Sequence, residues 1–130
     1  MPVNITQVNK GVLKAEYNGF EITAGRPSED EEYVGMPWGV VMIAGLGLCT
    51  VSRALDQAEL RGIKVEGISA VVNTELHEDG RHAEAFNIDI ELKADVPEDK
   101  LKEVLYEAEH CFAQNTIRNQ PEMNVTIKLV

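Results

Sequence analysis

The chain has 130 residues, 44% hydrophobic and 26% charged, ordinary usage for a single domain over residues 1–130, which excludes a disordered or fibrous protein. Its 12 Lys and Arg against 22 Asp and Glu leave a formal net charge of -10. That charge repels phosphate backbones and anionic lipid, so neither nucleic acid nor membrane is an expected partner. Met1–Lys10 lacks a basic segment followed by an apolar one, and the apolar stretch Gly39–Val51 is too short to span a bilayer as a helix. The cytoplasm is the expected compartment.

Val3–Val8, Val12–Tyr17 and Phe20–Thr23 read as short strands of a three-stranded meander. Asn9-Lys10-Gly11 separates the first two, and Asn18-Gly19, a strong hairpin signal, separates the second and third. Gly25–Gly35 carries the acidic run Glu29–Glu32. It reads as a solvated loop, or as a loop that covers a site and supplies Arg26 or a carboxylate to it. Pro37 suits the start of a helix. From Val40 to Val51 nearly every residue is apolar or Gly, with polar positions following at Ser52, Arg53, Asp56, Gln57 and Glu59 and a stop at Gly62. Pro37–Arg61 is therefore predicted to be one helix whose first half is buried on all sides. Gly45 and Gly47 each cost roughly 1 kcal/mol of helix propensity but permit close approach of another backbone. A helix so apolar is hard to cover within one small domain and points to a second subunit.

Two strands follow, with Ile68, Ala70 and Val72 on one face and Phe86, Ile88, Ile90 and Leu92 on a face of the next, around an Asp79-Gly80 turn. Pro97 opens a second helix with Glu98 and Asp99 at its positive end. Leu101, Val104, Leu105, Ala108 and Phe112 form its stripe, with Cys111 at the edge. Asn124–Val130 alternates as a final strand, with Val125, Ile127 and Leu129 on one face. Strands, helix, two strands, helix, strand is an α+β order.

Cys49 lies mid-helix among Leu46, Leu48 and Val51, about three turns from the helix start, where the dipole gives little help. Apolar burial raises a thiol's pKa, so a reactive Cys49 needs a cation, from Arg53 four residues on or from Arg26 in the loop; otherwise it is a small core residue. Cys111 is core filler or faces Cys49 across the two helices. Such a pair can condense through a sulfenic acid to a disulfide if the Cα atoms lie within about 7 Å. His77 and His82 flank the Asp79-Gly80 turn with Glu78, a weak pattern for a metal, and His110 points to another helix face than Cys111. No phosphate loop, nucleophile elbow or paired-Cys zinc pattern is present. Trp38 reads as core, or as the wall of an apolar pocket.

Gly35-Met36-Pro37, Ala44–Thr50 and Ala58–Ile63 together resemble the central helix of the OsmC/Ohr family. Leu105–Ile117 resembles the family's second Cys motif, and Phe86–Ile90 lies in a similar hairpin between them. The resemblance runs over nearly the whole chain. It implies an OsmC-like α+β fold, an intertwined homodimer with two sites at the subunit interface, and thiol-dependent reduction of organic hydroperoxides or hydrogen peroxide. Cys49 would be the peroxidatic thiol and Cys111 the resolving one, with an external dithiol as reductant and no metal or organic cofactor. Arg26 is the nearest match for the family's thiol-activating Arg. Trp38 and Gly39 follow Pro37 where the family usually has a Glu. The alternative is a catalytically inactive homodimer that binds a small apolar ligand or a protein partner near Trp38 and Cys49.

Overall fold

Turn chemistry organises the N-terminal part. In the computed structural model, which describes residues 1–130, β1 (Asn4–Asn9), β2 (Val12–Tyr17) and β3 (Phe20–Gly25) form an antiparallel sheet in the order β1-β2-β3. Asn18 and Gly19 both adopt positive φ, 49° and 83°, the mirror-image turn that matches strand twist. β2 pairs with β3 from Val12 opposite Gly25 to Tyr17 opposite Phe20, and its register with β1 shifts between Gln7 and Asn9. Gly25 has φ 96°, and a Cβ there would run into the Trp38 ring and the Gly11 carbonyl. Only glycine fits that close approach.

The 23-residue helix α1 runs from Trp38 to Leu60, within one residue of the predicted span at each end. The chain divides into two compact units, Met1–Ala44 and Gly45–Val130. In the second unit, β4 (Gly67–Leu76) and β5 (Ala83–Lys93) form an antiparallel hairpin. Ile68 pairs with Leu92, Ala70 with Ile90 and Val72 with Ile88, so the apolar alternation of both strands falls on one half-buried face. α2 spans Glu98–Ala108, with Glu98 and Asp99 in its first turn, and a short α3 spans Phe112–Arg118.

The core of this unit gathers Ala54 and Ala58 of α1, Ile63, and Val104 and Ala108 of α2, flanked by Val65, Ile68, Ile90, Ala94 and Val96. Small residues one helical turn apart let α1 and α2 approach closely. Gly47 serves a similar end, since a Cβ there would meet the Val72 side chain at 2.9 Å, whereas Gly45 faces open space. α1 is long and apolar enough to cross a membrane by length and composition. The same properties mark a core helix, and Ala54 and Ala58 are used as core residues here.

Three expectations are corrected. The first half of α1 is not buried on all sides, because Trp38, Val40, Met42 and Leu48 are exposed. An all-apolar helix needs cover on every side, and a single chain of this length does not supply it. The second helix breaks at Glu109–Cys111, where Cys111 takes an extended conformation and caps α3. Its stripe is split accordingly: Val104 and Ala108 are buried, Leu101, Leu105 and Phe112 exposed. Asn124–Val130 forms no strand. Alternation supplies a face, but a strand also needs a neighbour for its backbone groups.

Candidate active site

Thr50 is the only side chain between Val40 and Val51, apart from Cys49, that can make a hydrogen bond, and it is buried. Its hydroxyl lies 3.0 Å from the Leu46 carbonyl, one turn back along α1, and 3.5 Å from Cys111 Sγ. Gln114 Nε2 donates to Thr50 Oγ1 at 3.0 Å. Thr50 thus ties the cysteine turn of α1 to the start of α3.

Both sulfurs meet that start. The Gln114 N–H donates to Cys111 Sγ at 3.5 Å and the Ala113 N–H to Cys49 Sγ at 3.4 Å. Cys111 is buried and Cys49 half-buried, and both are free thiols. The first-turn N–H groups of a helix have no partner within it. Here two of them end on sulfur, an acceptor that binds more strongly as thiolate.

Burial pushes the Cys111 thiol up, but hydrogen bonds from the Thr50 hydroxyl, the Gln114 N–H, the Cys49 thiol and the Ala113 N–H outweigh it and hold it below the ordinary thiol range. Hydrogen bonds to the charged form, and no neighbouring cation, produce this shift. The Cys49 thiol is one of the donors, so the two sulfurs are linked by a hydrogen bond.

The cations expected to serve Cys49 have other partners. Arg53 donates through a terminal nitrogen to Glu107 Oε2 at 2.7 Å, tying α1 to α2, while its buried Nε has no partner. Arg26 belongs to the N-terminal unit, where its guanidinium lies 4.6 Å above the Tyr33 ring and donates to the Glu29 carbonyl at 3.1 Å. The acidic run Glu29–Glu32 is exposed. Trp38 packs on Gly25. His110 binds the Tyr106 carbonyl at 2.6 Å and is turned to that ring.

Sequence reasoning missed Thr50 and Gln114. Their signal was a lone hydroxyl in an apolar run and an amide three residues after Cys111. An apolar cavity of about 180 Å³ lies between the hairpin and α2, lined by Ile68, Ile90, Leu101 and Val104 among others. It falls below the roughly 300 Å³ at which ligand pockets begin.

Comparison with known proteins shows the family of the chain. The family model described as OsmC-like protein matches residues 39–126, which include both cysteines. A search of curated proteins gives no match. Among solved structures, an OsmC-like protein from Mycoplasma pneumoniae is 24% identical, with coverage of 100% of this chain and 98% of that one and a TM-score of 0.73. An OsmC-like hydroperoxide resistance protein from Jannaschia is 19% identical over 98% of this chain and 91% of its own, with a TM-score of 0.59. An organic hydroperoxide resistance protein from Legionella pneumophila is 18% identical over 90% and 88%, with a TM-score of 0.57. These likenesses concern the fold, whereas the family match covers more than half of the sequence and both cysteine motifs: the chain belongs to the OsmC-like protein family.

Proposed function

We propose that this protein is a thiol-dependent peroxidase that reduces organic hydroperoxides or hydrogen peroxide through Cys49 and Cys111, as a homodimer and at the expense of an external dithiol. The observation that carries the reading is the convergence of both sulfurs on successive backbone N–H groups at the start of α3. Cys49 is the more accessible sulfur and is the one assigned to meet the peroxide. Cys111, whose thiol is held below the ordinary range, is assigned as the acceptor of the Cys49 proton across the hydrogen bond between them. As Cys49 Sγ attacks the outer peroxide oxygen, its proton passes to Cys111 and the O–O bond breaks. The leaving alkoxide takes a proton from solvent and departs as alcohol. Cys49 is then a sulfenic acid and Cys111 a thiol. Cys111 displaces the hydroxyl of Cys49 as water, closing a disulfide. An external dithiol reopens it by exchange, becoming a disulfide itself.

Leu48 and Phe112, the neighbours of the two cysteines, are exposed at 73% and 74%. Apolar side chains beside the reacting sulfurs favour an organic peroxide and a second subunit to cover them. Arg26, this chain's nearest match for the family's thiol-activating Arg, is assigned that role toward Cys49 in the assembled dimer.

The test is dithiothreitol-dependent consumption of cumene hydroperoxide and of hydrogen peroxide. Wild type is expected to turn over, and Cys49→Ser to fall to the thiol blank. Cys111→Ser is expected to oxidise more slowly, to form no disulfide within the chain, and to turn over only through direct attack of dithiothreitol on the Cys49 sulfenic acid. Wild-type turnover no faster than the blank would refute the peroxidase and leave the inactive, ligand-binding alternative.

A further inference from the structure

We propose that the tip of the β4–β5 hairpin is a binding site for a divalent transition-metal ion, held by His77, Asp79 and His82. The two histidines are five residues apart, and the hairpin brings them together. The His77 N–H donates to the His82 carbonyl at 2.9 Å and the Gly80 N–H to the His77 carbonyl at 2.8 Å, with Gly80 at φ 69°. The imidazoles stack at 4.6 Å between centroids, 19° from parallel.

Asp79 joins them. Its Oδ1 lies 3.0 Å from His77 Nδ1 and 3.8 Å from His82 Nδ1, and one ligand atom from each residue falls within 4.8 Å of the others. A tetrahedral ion with nitrogen and oxygen ligands at about 2.0–2.1 Å holds those ligands about 3.3 Å apart. The two separations from Asp79, 3.0 and 3.8 Å, bracket that value, and rotation of the stacked imidazoles brings their lone pairs onto a common ion. The carboxylate is already oriented, because its Oδ1 accepts the Arg81 N–H at 2.8 Å. Glu84 Oε1, 3.7 Å from His77 Nε2, stands by as a further carboxylate.

The Asp79 N–H also lies 3.2 Å from His77 Nδ1, which holds the turn closed around the three side chains. Two imidazoles with one carboxylate suit zinc and nickel rather than magnesium or calcium, which prefer all-oxygen sites. The net charge of -10 raises the local concentration of any cation. Exposure of the turn leaves the remaining coordination positions to water.

The experiment is calorimetric titration of Ni²⁺ into untagged protein, in wild type and in Cys49→Ser/Cys111→Ser, where no thiol competes. One ion per chain is expected in both, with affinity at least tenfold weaker in His82→Gln and in Asp79→Asn. Thermal melts without metal check that these turn variants keep the fold; if one does not, the other decides. No uptake by the double-serine protein, or uptake unchanged by the folded turn variants, overturns the proposal.

Discussion

At the scale of single residues, the Cys111 thiol is governed by a hydroxyl. Thr50 is the first of the hydrogen-bonding groups that hold the Cys111 thiol down against burial. Thr50→Val keeps the volume and removes the hydroxyl, and it also takes away the acceptor of Gln114 Nε2. Burial then acts on the thiol less opposed, and its pKa rises. The sign follows for activity. A reaction that needs the thiolate loses rate as pH falls through the pKa, so the low-pH limb of peroxide turnover begins at higher pH in Thr50→Val. Titration of thiolate ultraviolet absorbance measures the same midpoint without turnover, and an unmoved midpoint would remove Thr50 from the site. The change also costs stability, about 1 kcal/mol for the lost hydrogen bonding. The sign is the same for folding: the depressed pKa contributes stability above the unfolded thiol's pKa, lost as pH falls through the folded value.

At the scale of elements, Cys111 has a second task as N-cap of α3, its side chain accepting from Gln114 N–H. Ser is among the best residues for that position and Ala among the poor ones. Cys111→Ser is therefore expected to keep α3 while losing the disulfide, and Cys111→Ala to be less stable than Cys111→Ser by about 1 kcal/mol in urea. Equal stability of the two would show that the cap contributes nothing. This dual role explains why the helix break escaped the sequence. Ala108–Ala113 contains neither Gly nor Pro, and the apolar spacing carries on through Phe112, so periodicity favoured one uninterrupted helix. β2, by contrast, was legible to the residue, because Asn9-Lys10-Gly11 and Asn18-Gly19 bracket it. The cysteine pair was legible through its two motifs. Thr50 and Gln114 were not, since their importance lies in a contact between residues 64 apart.

At the scale of the whole molecule, the surface asks for a second copy. Leu48 and Phe112 flank the cysteines in the open, and Val125, Ile127 and Leu129 present an alternating apolar face with no strand beside it. Exposed apolar residues of this kind suit an association surface. The alternation that predicted a final strand supplies an apolar face but no neighbouring strand to pair with in this chain. A two-fold dimer uses the same residue on both copies. Burying one leucine contributes about 1.5–3 kcal/mol, so a change at Leu48 counts twice, about 3–6 kcal/mol or at least 100-fold in the dimer constant. Light scattering and sedimentation are expected to find wild type as a dimer at micromolar concentration and Leu48→Glu as a folded monomer. Because the peroxide site is assigned a cover from the second copy, the monomer is also expected to lose its preference for cumene hydroperoxide over hydrogen peroxide while Cys49 still oxidises. A monomeric wild type with full turnover would separate the chemistry from the assembly and refute the dimer alone.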